Sequence, residues 1–135
     1  MDEMKKFYVG VKGIIVDAEK GALLLRHNNG FWNTPGGRIN GDESIDQTLI
    51  RELNEELPGI QNIEKGKLLD ACRIHKDIVP DTSLVLVYFL VTAKLPEPLK
   101  ISDEHVSFLW VKTRADIPED LEEQVVKIFK DILPA

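Results

Sequence analysis

The stretch GGRINGDESIDQTLIRELNEELPGI, residues 36–60, decides how the rest of the chain is read. Ser44 followed three residues later by Gln47 is a capping-box pattern, so a helix starts near Ile45. Pro58 and Gly59 stop it after Leu57. At one residue per 100°, with Glu52 at zero, Glu55 falls at about 300° and Glu56 at about 40°. Leu49, Leu53, Leu57 and Ile50 lie between about 60° and 160°, an apolar stripe for the core beside the acidic face. Like charges at these spacings repel on a single helix, so local stability does not account for them. A cation belongs against that face.

Three hard oxygen ligands on a semi-buried ridge suit magnesium or manganese, and no Cys/His cluster suggests zinc. Magnesium commonly bridges a few carboxylates to substrate phosphates, and a bound water becomes acidic enough for a nearby glutamate to take its proton. Such a set can hydrolyse a phosphoanhydride. Arg51, four residues before Glu55, can bond it and fix its orientation. The acidic run EDLEE, residues 119–123, carries the ordinary reading of a solvated helix face.

Outside this stretch, the 135 residues suit one domain over residues 1–135 with a real core. The net charge of −6 argues against a nucleic-acid polymer as partner, since phosphate backbones need a basic surface. A small polyphosphate remains open, because metal ions can invert the local charge. No apolar run has membrane-spanning length, and residues 1–6 are too short and charged for a signal peptide. The single cysteine, Cys72, excludes an internal disulfide and fits a reducing cytoplasm. A homodimer is the commonest assembly for such a domain.

Strands are expected at FYVGVKGIIVD (7–17) and ALLLRH (22–27), paired as a hairpin through AEKG, and at KLLDACRIHK (67–76). TSLVLVYFLVTAKL (82–95) reads as a central buried strand and HVSFLWV (105–111) as a further one. NNGFWNTPGGRI reads as a loop before a short extended piece. EDLEEQVVKIFKDIL (119–133) places Leu121, Val125, Ile128, Phe129 and Ile132 at helical spacing. Strands with two helices give an α/β sandwich with a mixed sheet.

Gly37, then five residues, Glu43, then seven residues, and Arg51-Glu52-Leu53-Asn54-Glu55-Glu56 resembles the signature box of the Nudix hydrolases, of which MutT is a type. WNTPGG before it and DEH…LWV after it are similar too, so the resemblance spans nearly the whole chain. It implies an α/β/α sandwich with a loop–helix–loop metal site. It also implies cleavage of nucleoside diphosphates linked to another moiety, by water attack on phosphorus. By position, Glu52, Glu55 and Glu56 would hold magnesium with the Gly36 carbonyl. Arg51 would orient the glutamates, and Glu43 would brace Arg51 and the loop. Glu104 matches the distant acid that serves some members as base or extra ligand, with Asp103 second. Arg26 matches a position that contacts substrate phosphate. The box departs from the family at Pro58, where a glycine is usual; Gly59 and Ile60 are displaced by one, and the carboxylates precede the change.

Arg38, directly after Gly37, is a second candidate for phosphate. Phe31 and Trp32 lie beside the glycine turn, where an aromatic either stacks on a base or packs into the loop. Trp110 reads as core, Cys72 as a packed thiol, and His27, His75 and His105 are too dispersed to form a ligand set. PGGRI and DEH also resemble the GDP-mannose mannosyl hydrolases, which lack part of the acidic pattern that is complete here. A non-catalytic nucleotide-binding module is a further alternative, for which a loss of box acids would be the sign.

Overall fold

The computed structural model describes residues 3–135, so Met1 and Asp2 of the charged N-terminal stretch lie outside it. Seven strands and two helices follow in the order β1 (Lys6–Asp17), β2 (Gly21–His27), β3 (Trp32–Asn33), β4 (Gly36–Arg38), α1 (Ile45–Glu56), β5 (Gln61–Val79), β6 (Thr82–Lys94), β7 (His105–Val111) and α2 (Glu123–Ile132). The strand order is β3-β2-β1-β6-β5, with β4 added to β1 and β7 to β2. β1 runs parallel to β6 from Lys6↔Thr82 to Ile15↔Val91, and the other pairings are antiparallel. The sheet is therefore mixed.

Alternation along two strands builds the sandwich. Val11 and Ile15 of β1 and Leu23 and Leu25 of β2 pack with Leu49, Leu53 and Leu57 of the α1 segment. Ile14, Ala22 and Leu24 point the other way, onto Val125, Ile128 and Phe129 of α2. One helix covers each face, as the α/β/α reading requires.

Helix α1 starts and stops where local chemistry dictates. Ser44 accepts from the Gln47 N–H while the Gln47 side chain accepts from the Ser44 N–H. At the exit Leu57 caps the helix through Leu53, and Gly59 takes φ +88°, so the displaced glycine turns the chain without disturbing Glu56.

Several expectations need correction. Ile50 is 48% exposed and lies outside the core stripe that Leu49, Leu53 and Leu57 form. β5 is 19 residues long, well beyond residues 67–76, and is an edge strand whose register shifts repeatedly against β6. β6 is central in pairing but mostly half-buried. α2 begins at Glu123; the preceding residues form a turn in which the Leu121 N–H donates to the Pro118 carbonyl, though Leu121 is still buried. Trp32–Asn33 and Gly36–Arg38 pair as short strands inside what the sequence suggests is loop. Among the described residues no helix is long and apolar enough to cross a membrane.

The depth difference on α1 is measurable. Leu53→Ala should lower stability by about 2–5 kcal/mol, and Ile50→Ala by less than about 1 kcal/mol. Urea unfolding of both variants checks this, and equal losses would contradict the packing.

Candidate active site

The site is assembled where β4 meets the carboxylate face of α1. Arg51 is its organising cation. Its Nε donates to Glu43 Oε2 at 2.6 Å and its Nη2 to Glu43 Oε1 at 3.0 Å, a two-pronged pair. Nη1 donates to Glu52 Oε1 at 2.9 Å, and Nη2 also to the Arg38 carbonyl at 3.1 Å. Glu43 Oε1 accepts further from the Asn40 N–H and the Thr48 hydroxyl. Glu43 thus ties the loop before α1 to Arg51, and Arg51 ties both to Glu52 and β4. The Arg51 guanidinium holds the Glu43 carboxyl down at about 2. Glu43, with Glu52, raises Arg51 above its ordinary value.

Glycine is required twice in β4. At Gly36 φ is +136°, and a Cβ would stand 2.2 Å from the Val11 carbonyl oxygen. Its N–H donates to Glu56 Oε2 at 2.7 Å. At Gly37 a Cβ would stand 2.4 Å from the Glu52 carboxylate. The strand backbone therefore lies directly against two of the three box carboxylates.

Those carboxylates are not equivalent. Glu56 is buried at 9% exposure, and burial pushes its carboxyl up to about 7; Lys12 and the Gly36 N–H oppose this, while Glu52 and Glu104 add to it. The Glu52 side chain is 17% exposed. The Glu55 side chain, by contrast, is 60% exposed and only 3.5 Å from Arg51 Nη1. Arg51 thus bonds Glu43 and Glu52 more closely than the Glu55 suggested by helical spacing.

The distant acid is brought in by a pinned loop. The Ser102 N–H donates to the Glu56 carbonyl at 2.9 Å, and Asn28 holds the Asp103 and Glu104 carbonyls from the end of β2. Glu104 is thereby among the charges acting on Glu56. Beside this loop, the His27 and His105 rings meet edge to face at 5.8 Å, a pairing with no sequence signature.

A cavity of about 340 Å³ opens beside the glycine turn. Ile74, Ile78, Leu84, Leu86 and Tyr88 form its apolar walls, with Lys12, Asn33, Arg38 and Glu122 as polar groups. A wider cleft of about 890 Å³ between β5 and α2 includes none of the box residues. Arg38 does line the smaller cavity, with its guanidinium 4.8 Å over the Tyr8 ring. Arg26 and Trp32 do not: the guanidinium lies 5.3 Å over the indole, which packs toward the α2 core. Sequence reasoning missed Lys12, whose charge in the apolar run VGVKGIIV was the available signal, and Asn33, next to the glycine turn. Glu122 is exposed, as EDLEE suggested, yet borders the cavity. Cys72 is half-buried, and burial raises its thiol, which fits a packing role.

Among the described residues no three His, Cys, Asp or Glu side chains converge closely enough to cage a metal. The available donors are Glu52, Glu56 and the Gly36 carbonyl, all oxygen, with Glu104 beyond them. An all-oxygen donor set suits a hard divalent cation.

The family model for the NUDIX domain matches residues 6–131. A Proteus vulgaris protein described as 8-oxo-dGTP diphosphatase is 35% identical over 97 residues, which cover 68% of this chain and 81% of the relative. The MutT protein from Methanosarcina mazei superposes with a TM-score of 0.77 at 23% identity, over 96% of this chain and 95% of that one. A MutT Nudix hydrolase from Burkholderia pseudomallei gives 0.76 at 24% identity, over 95% and 99%. The chain belongs to the Nudix family and is a hydrolase acting on acid anhydrides. The family uses a divalent metal.

The clamp has a pH signature. Between about 2 and its ordinary value of 4.5, Glu43 binds fewer protons folded than unfolded. Its stabilisation is therefore complete above about 4.5 and lost as pH falls toward about 2. The gap in urea midpoint between wild type and Glu43→Gln should hold steady at neutral pH and close under acid. A gap indifferent to acid would rule out the clamp.

Proposed function

We infer that the chain is a magnesium-dependent pyrophosphohydrolase of nucleoside triphosphates, with manganese as a substitute ion. The observation that carries this reading is the contact between β4 and the box helix. The Gly36 N–H holds Glu56, Gly37 lies against Glu52, and an apolar cavity opens on the same turn. A nucleotide fits that layout with its base among Leu84, Leu86 and Tyr88 and its phosphates at the carboxylates.

Glu52, Glu56 and the Gly36 carbonyl would hold the ion, with Glu104 or the exposed Glu55 completing the set. The bound ion supplies neutralisation of phosphate charge and acidification of water. The residues supply orientation and proton transfer. Arg51 fixes Glu52 through its bond to Oε1, and Glu43 fixes Arg51. Glu104 or Glu55 accepts the proton of the attacking water. Its oxygen bonds to phosphorus, the bridging P–O bond breaks, and the leaving phosphate group carries away the electron pair. Arg38, an exposed cation of the cavity lining, would meet the phosphates. Arg26 is stacked on Trp32 outside the cavity lining.

The relative described as 8-oxo-dGTP diphosphatase supports an oxidised purine nucleoside triphosphate as the first substrate to test. The assay is a panel of ordinary and oxidised nucleoside triphosphates and nucleotide sugars with magnesium. Labelled oxygen from water should appear in a phosphate product; label in a released sugar would overturn attack on phosphorus. Glu52→Gln and Glu56→Gln should each lower kcat on the order of 100-fold while circular dichroism stays unchanged. Full turnover in both variants would remove the site assignment.

A further inference from the structure

Lys12 is a cation that faces the box carboxylate Glu56 without bonding to it. It interrupts the apolar run of β1 and lines the cavity, part-buried. In the sheet it pairs on one side with Gly36, whose N–H holds Glu56, and on the other with Tyr88 in the cavity wall. The charges facing it are Glu56 and Glu52 from α1 and Glu122 from the residue preceding α2. Among the described residues the ion pairs do not include one between its ammonium and any of these carboxylates. Arg38, the other cation of the lining, is exposed and stacked on Tyr8.

A part-buried ammonium without a bonded partner is disfavoured, and an apolar residue would suit that strand better. Its place is intelligible from the substrate side. Lys12 lines the cavity together with Glu122, and its strand partner Gly36 holds Glu56 through its N–H. A nucleotide with its base among Leu84, Leu86 and Tyr88 and its outer phosphates at Glu52 and Glu56 carries its innermost phosphate past this point. Three carboxylates, Glu56, Glu122 and Glu52, act on that point, so an anion arriving there needs a local positive charge.

We propose that Lys12 is a substrate-binding residue that receives the phosphate attached to the nucleoside, fixing it between the base cavity and the carboxylates. This rests on the reading of the chain as a nucleotide pyrophosphohydrolase. A lysine suits the task as a compact point charge with three donors on a flexible stem. Contact with the inner phosphate, not the outer ones, makes the interaction common to substrate and monophosphate product.

The test is metal-free equilibrium binding of GMP against guanosine, and AMP against adenosine, to wild type, Lys12→Met and Lys12→Arg. Wild type should bind each monophosphate more tightly than its nucleoside. Lys12→Met should weaken the monophosphates by about tenfold to a hundredfold, as expected for a lost hydrogen bond to a charged group. The nucleosides should change by less than about twofold, and Lys12→Arg should keep most of the gap. Equal losses for both ligands would put Lys12 at the base, and no loss for either would leave it a counter-ion of Glu56; both overturn the proposal. So does a wild type that shows no gap. If Lys12→Met fails to fold, Lys12→Gln is read in the same way. Turnover on the nucleotide panel is scored separately. A silent wild type with the gap intact defeats the substrate reading, whereas active wild type without the gap defeats the role of Lys12.

Discussion

Arg51 cannot be withdrawn from this site without separating three pieces of chain. Its planar guanidinium spans the loop carboxylate Glu43, the helix carboxylate Glu52 and the Arg38 carbonyl of β4. Five donors in a fixed fork make this possible, and a lysine's point charge would satisfy only part of it. The same cation also lessens the repulsion that crowds the helix face. Glu52 is bonded to it, Glu55 lies within reach, and only Glu56 must find relief elsewhere. That relief comes from Lys12 and the Gly36 N–H, so a lysine, two glycines and an arginine belong to one electrostatic arrangement.

The sheet sets the distance between this arrangement and the cavity. Parallel pairing of β1 with β6 brings Lys12 beside Tyr88, while β4 lies along the other edge of the same β1 segment. One stretch of β1 thus carries the backbone against which the carboxylates are held and the floor of the neighbouring pocket. Its opposite face, with Val11 and Ile15, is buried against α1. The strand cannot shift register without moving helix, turn and cavity together, because a slip of one residue exchanges its two faces.

What could be read from the chain was mostly local. The boundaries of α1 followed from Ser44, Gln47 and Pro58 because capping is decided within a turn of helix. Glu43 and Arg51 were legible as partners only through the family pattern, since eight residues separate them. Helical angles gave direction but not depth: Ile50 and Glu55 lie at the two margins of the face and both turn outward. β5 was underestimated because an edge strand keeps half its residues in water and its charged positions hide the alternation. The first turn of α2 was overestimated because buried Leu121 fits the helical spacing from outside the helix. Lys12, Asn33 and Glu122 come together from three distant segments, which no single window of sequence displays.

The bond from Ser102 to the Glu56 carbonyl has a mechanical consequence. That carbonyl belongs to the last turn of α1, where the helix itself supplies no partner. The loop carrying Glu104 is therefore stitched to the helix terminus, and its other border is stitched to Asn28. Fraying at the end of α1 and release of the loop become one cooperative event, and any strain that unwinds one reaches the other as lost registration of acids on two separate segments.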